Sequence, residues 1–398
     1  LVVRQQNARL DYFAGVSLHN LAFAELSRGA YDEARHCSRE AIRALERAQG
    51  DYEISASTLS IEAAAVAEQG NLEEGLRLAN LSATDPRATA DAIADAAYMH
   101  AVCGRTSRAK SLLAKYERGD TRWAHELGAY NQGLFARIAV HLSDGDYAEA
   151  RAKYDVLKGL EHQGIDASSR MAVLEATLAA IERSPDAAAV AKQALRVCSA
   201  QNAWRWLARA QIIDSVVQRD AASLATWIAE TEGESALALL ELADVIASAI
   251  GLLAPLPPAL ERSVLREPVR WVAALGRQVV GKSDDASAAA LLIARFGTAE
   301  DASLLREYEK GPSGRPRRRG LTSQLIRRVS PTVRVHDLGL SSYEVGDRSI
   351  ALSDTRRKSA ALMLFLVTRP DLAANREQAM EAMWPDQTPK SALNSLHQ

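Results

Sequence analysis

The sequence lacks what marks membrane-spanning, secreted or metal-bound proteins. No apolar run approaches the ~20 residues a helix needs to cross a bilayer, and no signal-peptide pattern opens the chain. Its three cysteines, Cys37, Cys103 and Cys198, are odd in number and far apart, which argues against a disulfide framework. His36 stands beside Cys37 without the further ligands of a zinc site. Aromatic residues make up only 5% of the chain while Ala and Leu abound, a balance that favours helix. No Ser–His or Cys–His pair has a supporting context, so the expectation is a protein with neither catalysis nor cofactor. The first residue is Leu rather than Met. The 398 residues are accordingly expected to be a piece of a longer, soluble, cytoplasmic protein, with two or three domains in this part.

One stretch promises chemistry. Residues 276–283, "GRQVVGKS", fit the pattern of a loop that cradles nucleotide phosphates. Such a loop follows a buried strand and favours small residues, because its backbone N–H groups point at the phosphates. Here Gln278, Val279 and Val280 would occupy it, and Val269, Val272, Leu275 (or Gly276) and Val279 recur at the period of one helix face. Pro268 suits the first turn of that helix. Ser283, Asp284 and Asp285 are N-cap candidates for a next helix over "ASAAALLIARF", with Gly297 as its stop. Helix, turn and helix is therefore the expectation, not a nucleotide site.

The formal charge of −2 hides a split. From Lys310 onward there are 15 Lys and Arg against 8 Asp and Glu, which leaves 33 against 42 in the preceding residues. The two parts are expected to meet different partners, with nucleic acid a candidate for the basic one.

What is abundant is a recurring turn. It reads "GAYDEA" at 29–34, "GNLEEG" at 70–75, "GRTSRA" at 104–109 and "GDYAEA" at 145–150, its lead glycines 41, 34 and 41 positions apart. Apolar residues at helical spacing flank each one. Gly ends one helix, and a small residue five positions on (Ala34, Gly75, Ala109, Ala150) lets the two helices approach. Tyr31, Leu72 and Tyr147 would pack between them. The first unit resembles the tetratricopeptide repeat at Leu21, Ala22, Gly29, Tyr31, Ala34 and Ala41. Thr106 departs from the large turn residue, and the later "RSPDAAAVAKQAL" and "QRDAASLATWI" are suggestive continuations. The resemblance implies an α-solenoid of helical hairpins over residues 1–250 with a concave groove. That groove could hold a peptide, another domain or a small effector, or serve as a spacer.

Pro255, Pro257 and Pro258 interrupt the pattern, and a HEAT-like helical extension is expected over 251–310, with Thr298 and Asp301 as a variant capping box. Residues 311–331, with "GPSGRPRRRG", read as an exposed basic linker whose Arg317, Arg318 and Arg319 either touch phosphates or merely solvate a tether.

The period then changes. Val333 and Val335 alternate with Arg334 and His336, and two short strands are expected around a Gly346–Asp347 turn. Three helices follow: "TRRKSAALMLFLVTRP", "NREQAMEAMWPD" with Asn375 as N-cap, and "TPKSALNSLHQ" with Thr388 as cap and Pro389 at its first position. The "DLG…V…G" hairpin, Arg356, Arg357 and Lys358, "NREQ" and "MWPD" at 383–386 together resemble the winged helix of bacterial transcriptional activators of the antibiotic-regulatory-protein (SARP) type. These are relatives of the OmpR-type output domain. The resemblance covers residues 332–398 and implies a mainly α fold overall, a solenoid followed by a small α+β winged-helix domain. It implies double-stranded DNA and RNA polymerase as partners, and no membrane. The third helix would enter the major groove, carrying Lys390, Ser391, Asn394, Ser395, His397 and Gln398 to base edges, while Arg356, Arg357 and Arg376 meet phosphates. The bland reading of each is a solvated helix residue. The winged-helix pattern continues with the rest of this helix and a β-hairpin wing, and the sequence stops at Gln398, about midway through the helix, so the resemblance implies a winged helix truncated there.

Overall fold

The computed structural model describes residues 2–49, 53–117, 127–160, 167–230, 236–280, 286–311, 320–330, 333–336, 342–345, 348–351, 356–369 and 373–397. They divide into two compact units, Leu1–Ile326 and Arg327–Gln398. Among the described residues no helix is long and apolar enough to cross a membrane.

The first unit begins with six successive helix pairs: Val2–Ser27 with Tyr31–Arg47, Ile54–Glu68 with Leu72–Thr84, Ala90–Val102 with Thr106–Glu117, Leu127–Asp144 with Tyr147–Lys158, Ala167–Glu182 with Ala187–Ala200, and Trp204–Gln218 with Ala221–Glu230. The four lead glycines turn the chain in the left-handed region, at φ +79° for Gly29, +87° for Gly70, +74° for Gly104 and +80° for Gly145. At the first, Gly29 N–H donates to Leu26 at 3.1 Å and Ala30 N–H reaches back to Glu25 at 2.9 Å. These bonds satisfy carbonyls that the helix end leaves open. The same reach-back closes the fifth and sixth pairs, where Arg183 (φ +54°) and Arg219 (φ +56°) take the glycine's place. The two segments that were only suggestive in sequence are therefore full hairpins.

The small residues five positions on sit where the helices touch. Ala34, Ala109 and Ala150 are fully buried. A Cβ on Gly75 would stand 2.8 Å from the Ala67 Cβ and 2.9 Å from the Ala63 carbonyl oxygen. Tyr31 and Leu72 are buried and Tyr147 is half-buried. Leu21 departs from the repeat pattern: it is 46% exposed, and its neighbour Ala22 takes the buried position instead.

The turns of the first four pairs face the chain's own later helices. Gly29 abuts Trp204, whose Cβ is 3.4 Å from the place a Gly29 Cβ would take; Gly104 abuts Arg270 at 3.1 Å and Gly145 abuts Arg277 at 2.8 Å by the same measure. The Gly70 carbonyl accepts from Arg266 at 3.2 Å. At these turns, side chains of helices Trp204–Gln218, Pro258–Arg266 and Pro268–Val280 stand where an outside partner would have to reach.

A buried ionic network fastens that packing. Glu68 accepts from Arg205 at 2.7 Å and from Arg209 at 2.8 Å, although 137 and 141 residues separate them. Arg209 also pairs with Glu241, which accepts the Tyr98 hydroxyl. Asp244 accepts from Arg270 at 2.7 Å, from Arg277 at 2.8 Å and from the Tyr147 hydroxyl at 2.8 Å. Burial alone would raise the Asp244 pKa, but Arg270 and Arg277 outweigh it and hold the carboxyl below its usual range.

Helix Pro268–Val280 contains Gly276–Val280 of the phosphate-loop pattern, while Gly281, Lys282 and Ser283 lie outside the described residues. Val272, Leu275, Gly276 and Val279 form its buried side, but Val269 is 63% exposed. Helix Ala286–Phe296 follows, ended where Gly297 N–H bonds to Ile293 at 2.8 Å. Thr298 N–H donates to Asp301 Oδ2 at 2.6 Å and the Thr298 side chain accepts from the Asp301 N–H, which makes the expected capping box. Within the span read as linker, residues 321–329 form a helix, Leu321–Val329. Leu321 and Leu325 bury one face of it, and Thr322 bonds Glu309 through N–H (3.1 Å) and hydroxyl (2.9 Å).

The second unit holds three strands, β1 (Val333–His336), β2 (Ser342–Val345) and β3 (Arg348–Ala351), paired antiparallel in the order β1-β2-β3. Val335 faces Tyr343 and Tyr343 faces Ile350 in the register. Gly346 and Asp347, expected as the β2–β3 turn, lie outside the described residues. Helices Arg357–Val367, Arg376–Met383 and Pro389–His397 complete the unit, each touching the next.

Candidate nucleic-acid interface

The third helix of this unit is amphipathic by local chemistry. Pro389 opens it, and Thr388 Oγ1 accepts from Ser391 N–H at 3.4 Å. Ala392 is 2% exposed and Leu393 and Leu396 are half-buried, which turns Lys390 and Asn394, one helical turn apart, to solvent. Ser391 is exposed and Ser395 half-buried, yet both hydroxyls turn back on Gln387, whose Oε1 lies 3.2 and 3.4 Å away. Lys390 and Asn394 therefore make up the outward face, with the two serines tied beside it. Gln398 and the His397 side chain lie outside the described residues, as do Arg317, Arg318 and Arg319.

The preceding helices supply the cations. Arg356 is the N-cap residue of helix Arg357–Val367, and both arginines are exposed. Lys358 is engaged within the fold instead. Its ammonium donates to the Met383 carbonyl at 2.6 Å and lies 5.5 Å from the Trp384 ring centroid. It holds the first helix to the end of the second, a role that nothing in a run of three cations announces.

Arg376 opens the second helix, capped by a reciprocal pair in which Asn375 Oδ1 accepts from Gln378 N–H at 2.8 Å and Gln378 Oε1 from Asn375 N–H at 3.0 Å. Its ion pair with Glu377, 3.3 Å long, is exposed on both sides, and such pairs bind weakly. The Glu377 carboxyl is held below its usual range, first by its own backbone amide and then by Arg376. The structure thus groups Arg356 with Arg357 and Lys390 with Asn394, on two different helices, and leaves Arg376 at the start of the one between. No family model matches the sequence, and no curated protein matches it.

Proposed function

We propose that the chain is a regulatory part of a bacterial transcription activator, in which the helical hairpins sense or dock a partner and the C-terminal unit, as a winged helix, binds double-stranded DNA. The observation that carries the reading is the third helix: Lys390 and Asn394 stand exposed one turn apart on a helix that follows a three-stranded sheet and two helices along the chain. Lys and Asn are side chains that read base edges, and the exposed Arg356 and Arg357 suit phosphates. On this reading the chain binds duplex DNA weakly and with steep salt dependence, since phosphate contacts supply most of the affinity.

Binding to a random duplex pool at two salt concentrations tests it. Arg356→Ala with Arg357→Ala should weaken all sequences alike and flatten the salt slope by about 2. Asn394→Ala should leave that slope unchanged. An absence of binding even at low salt would sink the reading. A protein-interaction scaffold would then take its place.

A further inference from the structure

Inside the first unit lies a cavity of about 60 Å³, whose apolar walls include Phe135, Ile138, Val173 and Trp206. Voids with purely apolar walls stay dry. This one is different, because Arg270 lines it and is only 2% exposed. One of its terminal nitrogens is engaged by Asp244 at 2.7 Å, while Nε and Nη1 are buried without a hydrogen-bond partner. A guanidinium has five N–H donors and no way to become neutral, so unmet donors on it are costly.

Arg170, Arg270 and Glu241 are the charged side chains that line the cavity, and the Glu241 carboxylate is taken up by Arg209 and the Tyr98 hydroxyl. Arg205, Arg209 and Arg270 are balanced by Glu68, Glu241 and Asp244 in the buried network. Arg277 and Arg170, both partly exposed, are additional. Arg170 lines the cavity, bonds the neutral Gln132 at 2.8 Å, and lies 3.8 Å from the Phe135 and 4.6 Å from the Tyr98 ring centroid. It has no acidic partner among the described residues.

We propose that this cavity binds a monocarboxylate no larger than acetate, its charge held by Arg270 with Arg170 and its methyl group against Phe135, Ile138 and Val173. The assignment rests on the sensing role of the helical hairpins and names its ligand class. Size and chemistry select the class: the space admits only a few heavy atoms, the walls suit a methyl group, and the two unmet nitrogens of Arg270 match the two oxygens of one carboxylate.

The test is calorimetric titration of the full chain with acetate, and with acetamide as its neutral counterpart. Saturable acetate binding at one site per chain is expected, with acetamide at least about tenfold weaker. Arg170→Gln, at a partly exposed position, should weaken acetate and leave acetamide unchanged. Arg270→Met should abolish the preference for the anion. If that variant does not fold, Ala139→Leu, which fills the cavity from its wall, should abolish binding of both while the chain still melts cooperatively. Equal affinity for acid and amide, no saturable binding of acetate or formate, or binding that survives Ala139→Leu would each overturn the site. Carboxylate binding by a chain that shows no DNA affinity would keep the site and remove the activator reading, so the two fail separately.

Discussion

Gly104 and Arg270 lie back to back. A Cβ on Gly104 would stand 3.1 Å from the Arg270 Cβ and 3.2 Å from its Cα, so the turn of the third hairpin presses on the backbone of a helix 166 positions later. Gly104 is needed twice, for its φ of +74° and for the missing side chain. Gly104→Ala should destabilise the chain by roughly 1–3 kcal/mol. Gly29→Ala, at a similar φ but with its nearest neighbour at 3.4 Å, should lose less. Thermal melts compare the two, and equal losses would show that the close approach adds nothing.

Arg183 is the opposite case. It holds a left-handed conformation, φ +54°, with its side chain exposed. That conformation costs a non-glycine residue roughly 1–2 kcal/mol, while glycine gives back about 0.5–1 kcal/mol in chain entropy. Arg183→Gly should therefore raise the melting temperature slightly. A clear fall would mean that the arginine side chain contributes a contact worth more than the strain.

Arg209 joins three helices at the centre of the first unit, through Glu68 on one and Glu241 on another. It is fully buried and its side chain also donates to the Arg205 carbonyl at 2.7 Å. Arg209→Met removes the cation and leaves two buried carboxylates short of a partner, which should cost about 3–5 kcal/mol. The triple change Glu68→Gln, Arg209→Met and Glu241→Gln should recover part of that loss in denaturant titrations. No recovery would mean that packing, rather than charge, dominates at this site.

His100 should make stability fall in acid. It is 3% exposed, its Nε2 lies 3.2 Å from Asn80 Oδ1, and its Nδ1 has no hydrogen-bond partner. Burial first, then Arg108 and Arg105, push its pKa from the ordinary 6.5 down to about 4. Between those values the unfolded chain holds a proton that the folded chain refuses, so stability is complete above pH 6.5 and declines as pH falls towards 4. His19, also lowered by burial, acts in the same sense. Melting curves across this range should be flatter for His100→Gln, and an unchanged pH dependence would rule His100 out as a source.

Short-range features of this protein were readable in its sequence because their causes lie within a few residues. Gly29, Gly70, Gly104 and Gly145 marked helix ends since only glycine enters the left-handed region freely, and Ala34, Ala109 and Ala150 marked contacts by being small. Asn375 and Thr388 announced helix starts through a side-chain oxygen that meets an N–H three residues on. The turns at Arg183 and Arg219 carry no such mark, because arginine adopts that conformation only when the packing on both sides enforces it.

What tertiary structure alone decided is the interior of the first unit. Glu68, Arg209, Glu241, Asp244 and Arg270 sit on different helices, and in sequence each looks like part of a solvated helix face. Their burial follows from helices Trp204–Gln218, Ala236–Glu241, Ala243–Ser248 and Pro268–Val280 packing back among the earlier hairpins, which brings residues more than 130 positions apart into hydrogen-bond distance. A charge can leave water only where an opposite charge meets it, and that meeting is a property of the folded chain, not of any segment of it.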